Sequence, residues 1–251
     1  MKFLKENYKF IIFLAVIGVV AGVLMGEYTL SILPEDQLAL LAQELGDIKL
    51  YSAVAIVQVL GYALGLGIPG IYLANKIGLW KEIKFERKSM ISAILVAVFS
   101  GVIIQLGDRL VFAHLSPEIA NLTSSGVPTL SYMLMCYTYG GVVEEVMLRL
   151  FLMSLITFIL YKLFGKKAKE VPSYMYVVAN VIAALLFAAG HLPATVLTIG
   201  LTPVIVVRCF ILNGIPGFLF GELYRKHGIH YAMLAHAGAH VVMHIIMFMI
   251  G

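Results

Sequence analysis

Charge is scarce in this chain. Only 13% of its 251 residues are Asp, Glu, Lys or Arg, against about 25% in a typical soluble domain. Apolar residues make up 61%. That balance excludes a soluble globular domain, a disordered chain and a coiled coil. Cysteine is nearly absent. Cys136 and Cys209 both fall inside apolar runs, which argues against a disulfide framework and a four-cysteine metal site. Aspartate is confined to Asp36, Asp47 and Asp108, none of them central in an apolar run. The HExxH, GxSxG and GxGD signatures of other membrane proteases are missing. There is no internal repeat, low-complexity tract or linker, so the chain is expected to form one integral membrane domain, 1–251.

What remains is long apolar runs. They last 17–25 residues and more, the length that crosses a bilayer as helix and too long for barrel strands of about 10 residues. The expected fold is all-α, a polytopic transmembrane helical bundle. The runs fall at about 10–33, 50–74, 90–106, 130–161, 174–189, 193–223 and 229–250. The first follows Lys2, Lys5 and Lys9 but is too long for a signal h-region and reads as a retained span. Gly61, Gly65, Gly67 and Gly70 in the second run suggest close helix contact. Basic loops at Lys76–Lys88 and Lys162–Lys169 join the basic N-terminus on the cytoplasmic side by the positive-inside rule. This gives a multi-pass protein, expected in the plasma membrane with a cytoplasmic N-terminus and no nucleic-acid partner.

A charge at mid-bilayer costs about 2.5–3.5 kcal/mol on insertion scales. The fourth run nonetheless holds Glu144, Glu145 and Arg149. Glu145 and Arg149, at i and i+4 with the acid first, share a helix face and suit a buried ion pair. Glu144 is turned about 100° away and has no cation at i+3 or i+4, which suits a general base. Histidines supply the other half. His191 closes the fifth run one turn after Phe187, and His236, His240 and His244 form a stripe on the last helix. His244 and His230 suit structural or interfacial roles, and His114 and His227 suit loops. Glu144 and His191 are nearly equidistant from the loop that joins their helices, so an antiparallel hairpin brings them to similar depth.

His236 bears on the helix count. If 193–223 is one helix there are seven spans, and His236 is expected well over ~10 Å from the depth of His191. If two short helices meet near Arg208 there are eight, and His236 falls toward that depth. Convergence of the polar residues favours eight.

The pattern Glu144-Glu145-x-x-x-Arg149, then Phe187-x-x-x-His191, then His236-x-x-x-His240 resembles the CPBP family. These are the CAAX-protease and bacteriocin-processing membrane proteins, also called Abi, whose motifs are EExxxR, FxxxH and HxxxN or HxxxD. The likeness covers about 140–244. It implies a glutamate-type intramembrane endopeptidase, prenyl-protein-endopeptidase-like, with a motif-bearing core at about 129–250. Carried over by position, Glu144 and His191 activate water and His236 helps hold the oxyanion. Glu145, Arg149 and Phe187 support them. His240 stands where the family has Asn or Asp, and it can still donate an N–H. The implied partners are the lipid bilayer and a membrane-associated peptide or lipidated protein.

No cofactor is required by this chemistry. Zinc on Glu144, His191, His236 and His240 is the alternative, because zinc favours imidazole and carboxylate ligands. Two other classes stay open: a non-catalytic binding or bacteriocin-immunity protein, and a proton-coupled transporter.

Overall fold

A chain in lipid must satisfy its backbone polar groups internally, and helices do so segment by segment. The computed structural model describes residues 2–47, 49–124, 128–165 and 168–250 and is helical nearly throughout. Lys166 and Lys167 of the second basic loop lie outside the described residues. Seven helices are long and apolar enough to cross a membrane: α1 Lys5–Ile32, α2 Leu50–Lys76, α3 Arg87–His114, α4 Leu130–Phe164, α5 Ser173–Ile199, α6 Pro203–His227 and α7 Ile229–Ile250. Their outer faces carry large apolar side chains such as Val57, Leu95 and Leu185, all exposed as lipid contact requires.

Lipid tails are as apolar as leucine, so packing rather than hydrophobic burial drives these helices together. Small residues set the contacts. Gly18, Gly22 and Gly26 line one face of α1 at four-residue spacing, and a Cβ on Gly22 would lie 2.5 Å from the Ile56 Cα of α2. In α2 itself only part of the glycine expectation holds. Gly67 and Gly70 press against Leu14 and Leu150, whereas Gly61 and Gly65 face open space. Helix α3 packs along α7 where Gly101 abuts the Ala239 carbonyl and Gly238 abuts Ala97.

Polar side chains pin the helices at depth. Asn180 of α5 donates to the Phe218 carbonyl of α6 at 2.9 Å, and the Ser154 and Tyr224 hydroxyls join α4 to α6 at 2.7 Å. Near the other end of α6, Arg208 donates through Nε and Nη2 to the two Asp108 oxygens of α3, each at 2.5 Å. The basic loop after α2 is held down by three carbonyl contacts. Tyr176 donates to Ile77, and both His230 and Tyr231 donate to Lys84.

The expectation of eight spans gives way to seven. Residues 203–227 form one continuous helix through Gly214 and the buried Pro216. A proline inside a helix removes one backbone hydrogen bond, and a packed membrane helix tolerates that loss. Arg208 is therefore no junction between two short helices. The helix break that does occur is at His191, where α5 turns between the segments Ser173–Gly190 and Leu192–Ile199.

The α1–α2 contact gives a test. Gly22→Leu should lower stability by about 1–3 kcal/mol through overpacking, while Gly65→Ala, facing open space, should be tolerated. Thermal unfolding of both variants in detergent checks this.

Candidate active site

The fourth span is unusual along its backbone. Cys136–Glu144 and Val146–Met153 are π-helical, with wide turns closed by i→i+5 hydrogen bonds. Gly140 and Gly141 on this stretch let α7 approach closely. A Cβ on Gly141 would meet Ala237 at 2.6 Å, and one on Gly140 would meet the His240 ring at 2.9 Å. Wide turns of this kind concentrate at functional sites.

The two glutamates part company here. Glu145 is fully buried, while the Glu144 side chain is 21% exposed. Glu145 Oε1 pairs with Arg149 Nη1 at 2.9 Å, as the i,i+4 spacing predicts. The same oxygen accepts from His236 Nδ1 at 2.9 Å. Arg149, also fully buried, donates through Nη2 to the Gly217 carbonyl of α6 at 2.8 Å. Its guanidinium lies over the Phe187 ring at 4.5 Å and over the Phe220 ring at 5.7 Å. Gly217 has to be glycine for this, since a Cβ would sit 2.9 Å from Phe187 and 3.0 Å from Arg149 Nη2.

Around that ion pair the imidazoles stack. The His236 ring lies on Phe220 at 4.7 Å and on His240 at 5.2 Å, and meets Phe187 edge-on at 5.5 Å. Its Nε2 is 3.9 Å from Glu144 Oε2. His191 meets the Phe187 ring at 4.7 Å and donates through Nδ1 to the Phe187 carbonyl at 2.8 Å. A carbonyl can only accept, so neutral His191 carries its lone pair on Nε2. By the same logic His236 donates Nδ1–H to the Glu145 carboxylate and presents Nε2 as an acceptor while neutral. His240 makes no hydrogen bond to any described residue. His244 shares a hydrogen bond through Nδ1 with the Tyr137 hydroxyl at 2.8 Å.

His191, His236 and His240 share the wall of one cavity of about 210 Å³ with Thr195, Arg208 and Asn213. The predicted site residues thus converge, with one difference from expectation. Among the described residues Glu144 and His191 make no direct hydrogen bond or ion pair. Seven spans nonetheless bring these rings together: the Phe187 ring meets His191 at 4.7 Å and His236 at 5.5 Å, and both imidazoles line the one cavity.

The sequence reading missed the polar residues of α6. Arg208 was visible as a charge inside an apolar run and Asp108 just beyond one, but their pairing across a hundred residues was not. Asn213 and Thr195 gave no signal. For zinc, the donor set does not gather: no group of three or more His, Cys, Asp and Glu among the described residues is placed to hold a metal ion.

The buried pair should be fragile to half-removal. Arg149→Met leaves Glu145 buried without its cation and should cost about 3–5 kcal/mol. Removing both charges, with Glu145→Gln and Arg149→Met together, should recover part of that loss. A double-mutant cycle on thermal unfolding in detergent measures the coupling.

Comparison with known proteins bears on the same segment. No curated protein and no solved structure matches the chain. A family model does match, described as Type II CAAX prenyl endopeptidase Rce1-like, over residues 126–242. Those residues hold the whole Glu–Arg–His cluster and most of its cavity, with Ile104 and Met243 of the lining outside them. Over residues 126–242 the chain is thus similar to the Rce1-like family of type II CAAX prenyl endopeptidases.

Proposed function

We propose that the protein is an intramembrane endopeptidase, CAAX prenyl protease-like, that hydrolyses a peptide bond in a membrane-associated peptide or lipidated protein with a water activated by Glu144 and His191. The observation that carries this reading is the asymmetry of the two glutamates. Glu145 is consumed by Arg149 and His236, while Glu144 has no cation and is the accessible one.

Peptide hydrolysis needs a base for water, donors for the oxyanion and an acid for the leaving amine. Glu144 and His191 are too far apart to bond directly, and a water between them would bridge the pair. Glu144 takes a proton from that water, and His191 Nε2 accepts its other hydrogen. The water oxygen then bonds to the substrate carbonyl carbon. As the C–N bond breaks, Glu144 returns the proton to the leaving amine. The tautomers favour a division of labour between the last two histidines. His236 has its N–H committed to Glu145 and aligns the site through that bond. His240, free of hydrogen bonds to the described residues, supplies the N–H for the oxyanion. No step passes through a metal. The N-terminus and the two basic loops would lie in the cytoplasm of a plasma membrane. The cavity's polar residues Thr195 and Arg208 would then lie toward the opposite face.

The test is cleavage of lipidated, membrane-tethered peptides by purified protein in detergent. Glu144→Gln and His191→Ala should each abolish cleavage while the protein stays folded, and a zinc chelator should have no effect. Loss on chelation, restored by zinc, would overturn this mechanism. His240→Ala should lower kcat by about 10²–10³, the scale of one lost oxyanion donor. His240→Asn should keep most of the activity, since a carboxamide also donates an N–H.

A further inference from the structure

A groove on another face of α7 takes no part in the proposed chemistry. It lies between the N-terminal parts of α1 and α7 and the loop that follows α2, and measures about 560 Å³. That falls within the roughly 300–1,000 Å³ of pockets that enclose small ligands. Its wall is mostly apolar, with Phe10, Phe13, Ile83, Phe85, Met233 and Leu234. The loop is tied at both sides. Trp80 meets Phe10 of α1 edge-on at 5.3 Å, and the Lys84 carbonyl accepts from His230 and Tyr231 of α7. Phe13, Ile83, Phe85 and Leu234 nonetheless stay exposed, Phe85 to 65%. One turn into α1, Lys9 brings an exposed ammonium to the same wall, and it makes no ion pair with a described residue. Among the described residues no Asp or Glu lines the groove.

We propose that this groove holds one anionic phospholipid of the cytoplasmic leaflet, its phosphate on the Lys9 ammonium and an acyl chain along the apolar wall. The depths match. Lys9 is about 6 Å along α1 from Lys5, where a lysine stem reaches back toward the headgroups. Phe13 and Ala237 are each about 12 Å in from the starts of α1 and α7, at acyl-chain depth. An empty groove there forfeits dispersion contact along its lining, and an acyl chain restores it. Charge selects the headgroup. A zwitterionic lipid brings an ammonium that needs an anion, and no carboxylate lines the wall. An anionic headgroup needs only the lysine. Basic pockets between membrane helices on the cytoplasmic side are sites of this kind. The cleaved peptide is the poorer occupant, because the groove shares no lining residue with the catalytic cavity. On α7 the two take different faces, with Met233, Leu234 and Ala237 on one and His236, Ala239 and His240 on the other. The lipid therefore joins α1, which precedes residues 126–242, to the helix that carries two of the site histidines.

The experiment is native mass spectrometry of the full-length protein in mild detergent, with equal amounts of phosphatidylglycerol and phosphatidylcholine carrying the same chains. The wild type should retain one phosphatidylglycerol, favoured about fivefold, the scale of one lysine–lipid contact. Lys9→Gln should lower its retention to the phosphatidylcholine level. Lys5→Gln removes the same charge one turn earlier, off the groove wall, and should leave the preference intact. Leu234→Trp fills the groove and should lose both lipids. Phosphatidylglycerol should also raise the thermal unfolding midpoint of the wild type and of Lys5→Gln, but not of Lys9→Gln. Equal retention of the two lipids by the wild type overturns the proposal. So does an equal loss in Lys5→Gln and Lys9→Gln, which would mean diffuse charge attraction, or retention that survives Leu234→Trp. Displacement of the bound lipid by a lipidated peptide would give the groove to the substrate. A dimer that Leu234→Trp breaks and lipid leaves unchanged would give it to a second copy of the chain. Either overturns the assignment to a phospholipid, and none of these outcomes bears on the protease reading.

Discussion

A buried charge cluster governs this bundle. Glu145 and Arg149 are both fully out of solvent, and each reaches a different neighbour. Glu145 holds His236 of α7, and Arg149 holds the Gly217 carbonyl of α6 and lies over Phe187 of α5. Four helices meet at one ion pair. Desolvating two charges is expensive, and a pair of this kind rarely stabilises a fold on balance against apolar packing. Its effect is to fix geometry. With no hydrophobic force to order helices inside lipid, a polar contact that only one arrangement satisfies selects the rotation of each helix about its axis.

That selection separates two chemically identical side chains. Glu144 and Glu145 are neighbours, yet the wide turns of α4 send one into the ion pair and leave the other partly open beside His236. The buried carboxylate acts as a fixed anion that orients an imidazole. In the proposed mechanism the accessible one exchanges a proton with water. The second ion pair, Asp108–Arg208, performs a comparable task between α3 and α6 at the opposite end of the cavity. Of these four charged residues, Arg208 alone is part of the cavity wall.

Much of this was legible in the sequence. Run length and composition gave the helical membrane fold, because backbone satisfaction in lipid leaves few alternatives. Six of the seven motif residues, all but Phe187, stood out because charged and imidazole groups in apolar runs have few bland explanations. The i,i+4 relation of Glu145 and Arg149 was readable from helix geometry alone. The rest depended on tertiary contact. Whether Pro216 ends a helix or merely interrupts one hydrogen bond is decided by its neighbours. The Gly18, Gly22 and Gly26 stripe looks no different in sequence from Gly61 and Gly65, and only the packing partner distinguishes them. Asn213 and Thr195 are ordinary polar residues until α6 and the end of α5 close on one space.

The π-helical stretch of α4 has a consequence for how this segment tolerates change. A wide turn holds one residue more than an α-turn, so it behaves as an insertion accommodated within a continuous helix. Losing one residue between Cys136 and Gly140 would let one wide turn relax to ordinary α-helix with the phase beyond it kept, so that Glu145 and Arg149 would still face His236 and Gly217. A residue lost from a regular α-helical stretch instead turns everything beyond it by about 100°. The wide turns thus make this stretch the part of α4 where a change in length disturbs the cluster least.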